Sequence, residues 1–317
     1  MEQIIQYLLC KPSGKTQFLG RLPQWNRGTC NVVNVKILQE MLRHKTLNYD
    51  EKALQMLSSN LTILKITDFF AFCLGDTPSC DDNWNKHKLK ALGKSRPIGD
   101  VNISLIPGNF YSRRLKNMIS VKGNDILFKA KKGLACFRGA TTGYPSIPGN
   151  RFLLVQKYEK SNLADVGFHA ILQKACWFGH PSLKKPVVKA NRLSQSELLQ
   201  YKYIICPEGN DASSGLGWVL ASNSVPMMCK PRHETWLREG LLKAGIHYIL
   251  LDDQYNDLER KIQWCEAHPK KCQEIAAAGK KYVQQFMDPS AQNLLAREVM
   301  RRHIVENPLL IGRNFPD

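Results

Sequence analysis

Apolar residues in the second half of the chain fall in short runs separated by longer amphipathic stretches. Leu134–Phe137, Tyr201–Cys206 (YKYIIC), Val225–Met228 and His247–Leu251 each form a brief apolar run bounded by turn formers, the pattern of a buried strand. Between them, Arg151–Glu159, Ser194–Gln200, a segment opening at Ser213-Ser214 and running through Ala221, and Glu234–Lys243 carry apolar residues at helical spacing, and two or three more helices close the chain. Strands alternating with helices of this length predict βαβ units and a parallel sheet, an α/β fold. The first half is less regular. Val35–His44 and Asp50–Ser59 read as helices, the latter with Asp50 as a cap, and Leu61–Leu74 (LTILKITDFFAFCL) reads as one or two strands running into Gly75-Asp76. Val101–Pro107 is a further strand that stops at Pro-Gly.

Length adds a division to this pattern: 317 residues is about twice the usual domain size, which predicts two domains. With 43% hydrophobic and 23% charged residues and a mean hydropathy of −0.33, the chain has a globular composition rather than that of a disordered or polytopic membrane protein. The opening stretch MEQIIQYLLCKPSGK lacks the basic region of a secretory signal, and no segment has the apolar length of a membrane span, so a cytoplasmic location is expected. None of the ten cysteines forms a CxxC pair, which excludes zinc ribbons and thioredoxin-like chemistry and predicts reduced, structural thiols. Charge changes the picture most. Lys and Arg number 45 against 27 Asp and Glu, a formal net charge of +18 that implies an anionic partner: nucleic acid, an acidic lipid surface or phosphorylated small molecules. Lys86–Lys132 alone holds 12 basic residues against Asp100 and Asp125.

Three motifs carry candidate chemistry. In YKYIICPEGNDASSGLGWVLASNSVPMM (201–228), a buried strand runs into a loop of glycines and hydroxyls and then a helix. Ligands of open α/β sheets bind beyond the carboxyl ends of the strands, and the free N–H groups of a helix start suit phosphate. Asp211 and Ser213 acting merely as helix caps is the alternative. FRGATTG (137–143) sets Arg138 at a strand end beside a hydroxyl-rich turn, where its planar, permanent charge suits phosphate or a surface ion pair; Arg151, opening the next helix, is a second candidate. FFAFCLGDTPS (69–79) places Asp76 directly after a strand, as a catalytic acid or base or as an ordinary turn former. The pairs Asp81-Asp82 and Asp252-Asp253 lack the DxD spacing of a nucleotide-bound metal, and His169 and His180 lack metal-ligand context.

In this order and spacing the motifs resemble family 90 of the glycosyltransferases, which holds Rumi-type protein O-glucosyltransferases, fungal capsule-associated xylosyltransferases and bacterial enzymes of the lipopolysaccharide A type. The likeness is clearest over 134–289, where FRGATTG and the 201–228 motif are followed by ETWLREGLLKAGIHYILL (234–251) and EIAAAGKKYVQQF (274–286); upstream, LGDTPS and SLIPGNF (104–110) follow in the family's order. The resemblance implies a GT-B-like architecture of two Rossmann-like domains with a cleft between them. Residues 1–125 with 290–317 would form the acceptor side and 126–289 the nucleotide-sugar side. It also implies an inverting, metal-independent transfer from a UDP-sugar, with no cofactor. Asp76 matches the family's catalytic base. Arg138, Gly139 and Thr141 fall on the strand-end motif and Arg151 beyond it. Gly209, Asn210, Asp211, Ser213, Ser214 and Gly215 fall on the diphosphate region, and Glu239 near the position of a ribose-binding carboxylate.

One departure stands out: the eukaryotic members carry an arginine within an S-F-R-F pattern where this chain reads Ser214-Gly215-Leu216, leaving Arg138, Arg151 or Lys189 to replace that cation. The departure points to the bacterial branch, acting on a lipopolysaccharide core or other surface glycan at the inner face of the cytoplasmic membrane, with glucose, galactose or xylose as the sugar. The expected partners are a UDP-sugar, a glycolipid or oligosaccharide acceptor and an anionic membrane surface, not nucleic acid. Two rival readings are a protein O-glucosyltransferase and, on charge alone, a nucleic-acid-binding protein.

Overall fold

The structure, a computed structural model, describes residues 31–33, 70–73, 91–100, 103–106, 112–173 and 191–306. The expected helices at 35–44 and 50–59, together with Asp76, His180 and Lys189, lie outside the described residues. The chain divides into two compact units, one of residues 1–112, 234–237 and 288–317 and the other of 113–233 and 238–287.

In the first unit, β1 (Asn31–Val33), β2 (Phe70–Cys73), β3 (Ala91–Gly93) and β5 (Ile103–Leu105) form a sheet in the order β1-β2-β3-β5. β1 runs antiparallel to β2, and the other pairs are parallel. β4 (Ser95–Pro97) pairs instead with β10 (His233–Thr235). The helix Pro289–Glu306 also belongs to this unit, and its His303 ring lies 2.9 Å from the Ser104 hydroxyl on β5, both buried. The expected strand at 101–107 is present in its centre, and the apolar run 61–74 includes β2 at its end.

In the second unit, β6 (Lys132–Ala140), β7 (Ala164–Ala170), β8 (Tyr201–Ile205), β9 (Val225–Met228) and β11 (Ile249–Leu250) form an all-parallel sheet in the order β11-β9-β8-β6-β7. Counted from β6, this is the doubly wound order 2-1-3-4-5, whose switch point lies between β6 and β8. Ala135, Cys136 and Phe137 are buried in succession, as expected of a parallel strand covered on both faces. One face carries Phe137, Phe168, Tyr203, Ile205 and Met227, packed with Phe152 of the helix Arg151–Tyr158 and Ile262 of the helix Leu258–Ala267. The Phe152 and Phe168 ring centroids lie 5.5 Å apart. Helix starts follow sequence chemistry. The Asn150 side chain accepts from Leu153 N at 2.8 Å, Ser194 and Glu197 form a capping box at Gln195–Leu198, and Pro269 opens Pro269–Gln284.

Two expected helices need correction. Glu234–Lys243 is not a helix: it is the end of β10, a turn and a 3-10 turn at Glu239–Leu241. Trp236, Leu237, Glu239 and Leu242 are all buried, so burial follows no single helical stripe, and the buried Glu234 is held by the buried Arg96 at 2.8 Å. The helix expected from Ser213-Ser214 begins only at Leu216 and ends at Leu220, with Gly215 at its cap position making no side-chain cap bond. The sequence pattern also passes over β7 and the helix Ser112–Asn124.

Candidate active site

Three loops converge beyond the carboxyl ends of the second unit's sheet: 141–150 after β6, 206–215 after β8 and 229–233 after β9. Glycines permit the approach. A Cβ on Gly143, at φ +93°, would stand 2.7 Å from Gly209 O, and one on Gly149, at φ +66°, 2.8 Å from Cys229 Sγ. Both positions combine a left-handed backbone with a neighbour that leaves no room for a side chain. The Asn210 carboxamide oxygen ties two of the loops by accepting from Gly143 N at 2.8 Å.

Arg151 lies at this convergence. Its Nη1 donates to Thr142 Oγ1 at 2.6 Å and to Ala140 O at 3.3 Å, and its Nη2 lies 2.9 Å from where a Gly209 Cβ would be. Its buried Nε makes no hydrogen bond. Burial lowers the guanidinium pKa to about 10, opposed by the fields of Tyr255, Asp211 and Cys206. The oxygens that it bonds are neutral, and the carboxylate whose field bears on it is that of the buried Asp211.

Arg138, which the sequence favours as the phosphate cation, is placed differently. Its Nη2 pairs with Asp165 Oδ1 at 2.6 Å, and its Nη1 donates to Asp165 O at 2.9 Å and Phe137 O at 3.0 Å. Tyr201 donates to the other Asp165 oxygen at 2.7 Å. Arg138 is therefore part of a network on the sheet face opposite the apolar core. His169, two strand positions beyond Gly167 on β7, lies in the field of Arg192, Arg151 and Arg138; burial first, and those three charges next, lower its pKa.

The remaining expected residues separate into two groups. Gly209, Asn210 and the buried Asp211 lie beside Arg151, while Ser213 and Glu239 line an adjoining pocket. Thr141 is instead a structural joint, its hydroxyl donating to Leu172 O at 2.8 Å and accepting from Leu172 N at 2.7 Å. Gly139 stands where a Cβ would meet the Phe137 ring at 2.5 Å, Ser214 is exposed, and Gly215 lies against Trp218. Because the helix that follows Gly215 has five residues and starts after Ser213-Ser214, the expected phosphate cradle of a long helix start is not present, and Asp211 and Ser213 do not cap it.

Sequence reading missed the wall of that pocket. Glu208 accepts from the backbone N–H groups of Arg232 and His233 at 2.8 and 2.9 Å and lies 3.0 Å from His233 Nδ1. Burial alone would raise the Glu208 pKa, but the His233 ring and those two N–H groups outweigh it and hold the carboxyl low. With Pro207, Leu216, Met228 and Lys230, these groups line a pocket that joins carboxylates to basic side chains. Its only signal in the sequence was position, immediately after the buried runs of β8 and β9. Among the described residues no group of three or more His, Cys, Asp or Glu is placed to hold a metal ion, and no helix is long and apolar enough to cross a membrane.

Residues 112–291 match the model of glycosyl transferase family 90. O-glucosyltransferase LpsA of Dichelobacter nodosus is 34% identical over 256 residues, which cover 80% of this chain and 71% of that protein. Uncharacterized protein 027R of Frog virus 3 (isolate Goorha) is 29% identical over 179 residues, 48% of this chain but 18% of that protein. Among solved structures, HepE of Anabaena in complex with UDP-glucose aligns with a TM-score of 0.41 and 11% identity, over 84% of this chain and 81% of that one.

Proposed function

We propose, from the premise that this chain belongs to glycosyltransferase family 90 and is a glycosyltransferase, that it moves glucose from UDP-glucose to a hydroxyl of a saccharide acceptor such as a lipopolysaccharide core. The 34% identity to a protein described as an O-glucosyltransferase supports glucose over galactose or xylose. The observation that carries the donor reading is Arg151, a partly buried cation bonded to neutral oxygens at the β6/β8 switch point. A nucleotide diphosphate offers this guanidinium charged acceptors in place of neutral ones.

The proposed reaction is a single displacement with inversion. The acceptor oxygen attacks the anomeric carbon, its proton passes to Asp76, and the bond from that carbon to the diphosphate oxygen breaks, releasing UDP. Negative charge develops on the departing diphosphate, and Arg151 with the N–H groups of the 206–215 loop stabilises it from fixed positions, without calling on a metal. Glu239 and Ser213, in the adjoining pocket, would hold the nucleoside. We read the architecture as GT-B-like, two Rossmann-like domains of which residues 126–289 hold the donor. The setting we propose is the cytoplasmic side of an anionic membrane.

The test is UDP release from UDP-glucose, UDP-galactose and UDP-xylose, with and without a lipopolysaccharide-core acceptor. Turnover is expected with UDP-glucose, and no hydrolysis or transfer from any of the three by folded protein overturns the reading. Asp76→Asn is expected to lower transfer by about 10²-fold or more while UDP affinity stays within about threefold, since a general base contributes on that scale. An active Asp76→Asn enzyme removes the base assignment.

A further inference from the structure

Strands β6 and β7 pair in regular register except at one place. Gly139 lies opposite Phe168 and Ala140 opposite Ala170, so β7 carries one more residue than β6 between these partners, and that residue is His169. An extra residue in one strand is left out of the pairing and its side chain is re-aimed, and such bulges are rare between parallel strands. The chain beyond it is pinned. Thr141 N donates to Ala170 O at 3.1 Å, the Thr141 hydroxyl holds Leu172 at both its N–H and its carbonyl, and Gln173 follows with a left-handed backbone (φ 52°). His169 is thus placed by the fold, yet its buried Nδ1 makes no hydrogen bond. A buried polar atom without a partner is destabilising, which sets this ring apart from one kept for packing alone.

Cations surround the bulge. Arg151 Nη1 donates at 3.3 Å to the carbonyl of Ala140, the residue paired across it. Arg138 lies opposite Gly167, two positions before His169, and Arg192 stands exposed just before the helix Gln195–Leu198. The charges of Arg192, Arg151 and Arg138, in that order, act on the ring after burial itself. The acids nearby are already engaged with these cations. Asp165 of β7 pairs with Arg138 at 2.6 Å and accepts from Tyr201 of β8, a phenol that burial keeps neutral, while Asp211 of the 206–215 loop acts on Arg151. Burial and three guanidiniums together hold the imidazole uncharged, below the ordinary histidine pKa.

We infer that His169 is a proton-coupled receptor for the donor's diphosphate: neutral in the free protein, it takes up a proton from solvent when the diphosphate settles beside Arg151. The inference rests on the donor reading proposed above and adds to it a pH dependence of donor affinity. A diphosphate at Arg151 brings negative charge to a ring that until then feels mainly positive charge, and an opposite charge at close range favours the protonated form. The imidazolium then donates where the neutral ring has no partner. The sign follows from linkage. A group whose pKa is higher with ligand than without makes the ligand bind more tightly at low pH. The gain is complete below the free-protein pKa of His169, itself under the ordinary value of about 6.5, and is lost as pH rises through the bound-state pKa.

The experiment is calorimetric titration of the full chain with UDP-glucose from about pH 5.5 to 8, the range in which histidines titrate, in pairs of buffers that differ in ionisation enthalpy. UDP-glucose is the probe because both its phosphates are esterified and neither takes up a proton in that range, so every proton counted is the protein's. The unmodified chain is expected to take up about half a proton or more per UDP-glucose at the maximum, and its affinity to fall about tenfold across the range, the change carried by a pKa shift of about one unit. In His169→Asn, checked for folding by circular dichroism and thermal melting, uptake should vanish and affinity should become independent of pH to within about twofold. A merely structural role for the ring would lower affinity equally at every pH and leave the uptake in place. Should His169→Asn fail to fold, Arg192→Ala, a change at an exposed side chain, removes the largest of the three repulsions and is expected to move the uptake to higher pH. UDP-glucose binding without proton uptake overturns this inference alone. So does undiminished uptake in folded His169→Asn, which would place the proton elsewhere, as on His233 of the pocket wall, and so does an unmoved uptake in Arg192→Ala. No UDP-glucose binding at any pH overturns the donor reading and this inference with it.

Discussion

Arg138 and Arg151 are thirteen positions apart in the sequence, and the contrast between them rests on their acceptors. Arg138 pairs with a carboxylate at 2.6 Å, which Tyr201 also engages, so its charge is already matched within the fold. Arg151 meets a hydroxyl and a carbonyl, and burial makes its cation costlier to hold. An arriving diphosphate therefore gains more from Arg151 than from Arg138. Replacing Arg151 with Leu is expected to weaken UDP binding by about 10- to 100-fold, the equivalent of about 1.5–3 kcal/mol for a hydrogen bond to a charged group. Replacing Arg138 with Leu is expected to act mainly on stability. It removes a partner of Asp165, and because that carboxylate is partly exposed, solvent screening trims the cost to about 1–3 kcal/mol. Denaturant melts and UDP titrations of the two variants separate the roles, and equal loss of UDP affinity in both would restore Arg138 to the site.

Elements were legible where burial was continuous. β8 and β9 stand out as apolar runs, and Arg151–Tyr158 announces itself through Asn150 and the apolar positions that follow. β7 does not, because Asp165, Gly167 and His169 make every second residue polar or small, and the charge of Asp165 is matched across the sheet by Arg138 and Tyr201. The segment 234–243 misleads for a related reason. Its apolar spacing fits a helix, but two of its acids are buried and a left-handed residue interrupts it, facts that depend on Arg96 and Tyr282 far away in sequence. For the site, loop residues directly beyond buried strands could be read (Gly209, Asn210, Arg151), whereas Glu208 and His233 acquire meaning only from each other. The Arg96–Glu234 pair between β4 and β10 gives an element-scale prediction. Arg96 donates to Glu234 at 2.8 Å and to Ile103 O at 2.9 Å, with both partners buried. Arg96→Met is expected to destabilise the protein by about 3–5 kcal/mol, because it leaves a buried carboxylate without its cation. Arg96→Met combined with Glu234→Leu should recover at least half of that loss in chemical denaturation, since an apolar pair of similar volume replaces the ions. If the double variant is no better than the single, the pair's worth lies in its other contacts rather than in its charge balance.

At the scale of the whole molecule, the charge of +18 is not one surface. Of the twelve basic residues between Lys86 and Lys132, Lys94, Arg96 and Lys131 are buried, and Lys131 is spent on Asp125 at 2.5 Å and on the carbonyl of Leu199. Those three hold the fold together and offer nothing to a membrane, which reduces the docking surface that the sequence run suggested. Among the described residues, the exposed basic side chains of this run are Lys129, Lys132 and three on the helix Ser112–Asn124, which has no acidic residue, buries Leu115, Met118 and Val121, and exposes Arg113, Lys116 and Lys122. Such a helix gains on the order of 1 kcal/mol per basic residue near an anionic lipid surface, and the gain fades with salt. Flotation with vesicles of anionic lipid is therefore expected to carry the protein at low ionic strength and to release it at high. Arg113→Glu, Lys116→Glu and Lys122→Glu together should cost on the order of 3 kcal/mol, about a hundredfold in partitioning, without altering the melting profile, because all three side chains are exposed. Vesicle binding that survives the triple reversal would place the membrane contact elsewhere on the chain, and no binding even at low salt would leave the surplus charge to serve the acceptor's own phosphates.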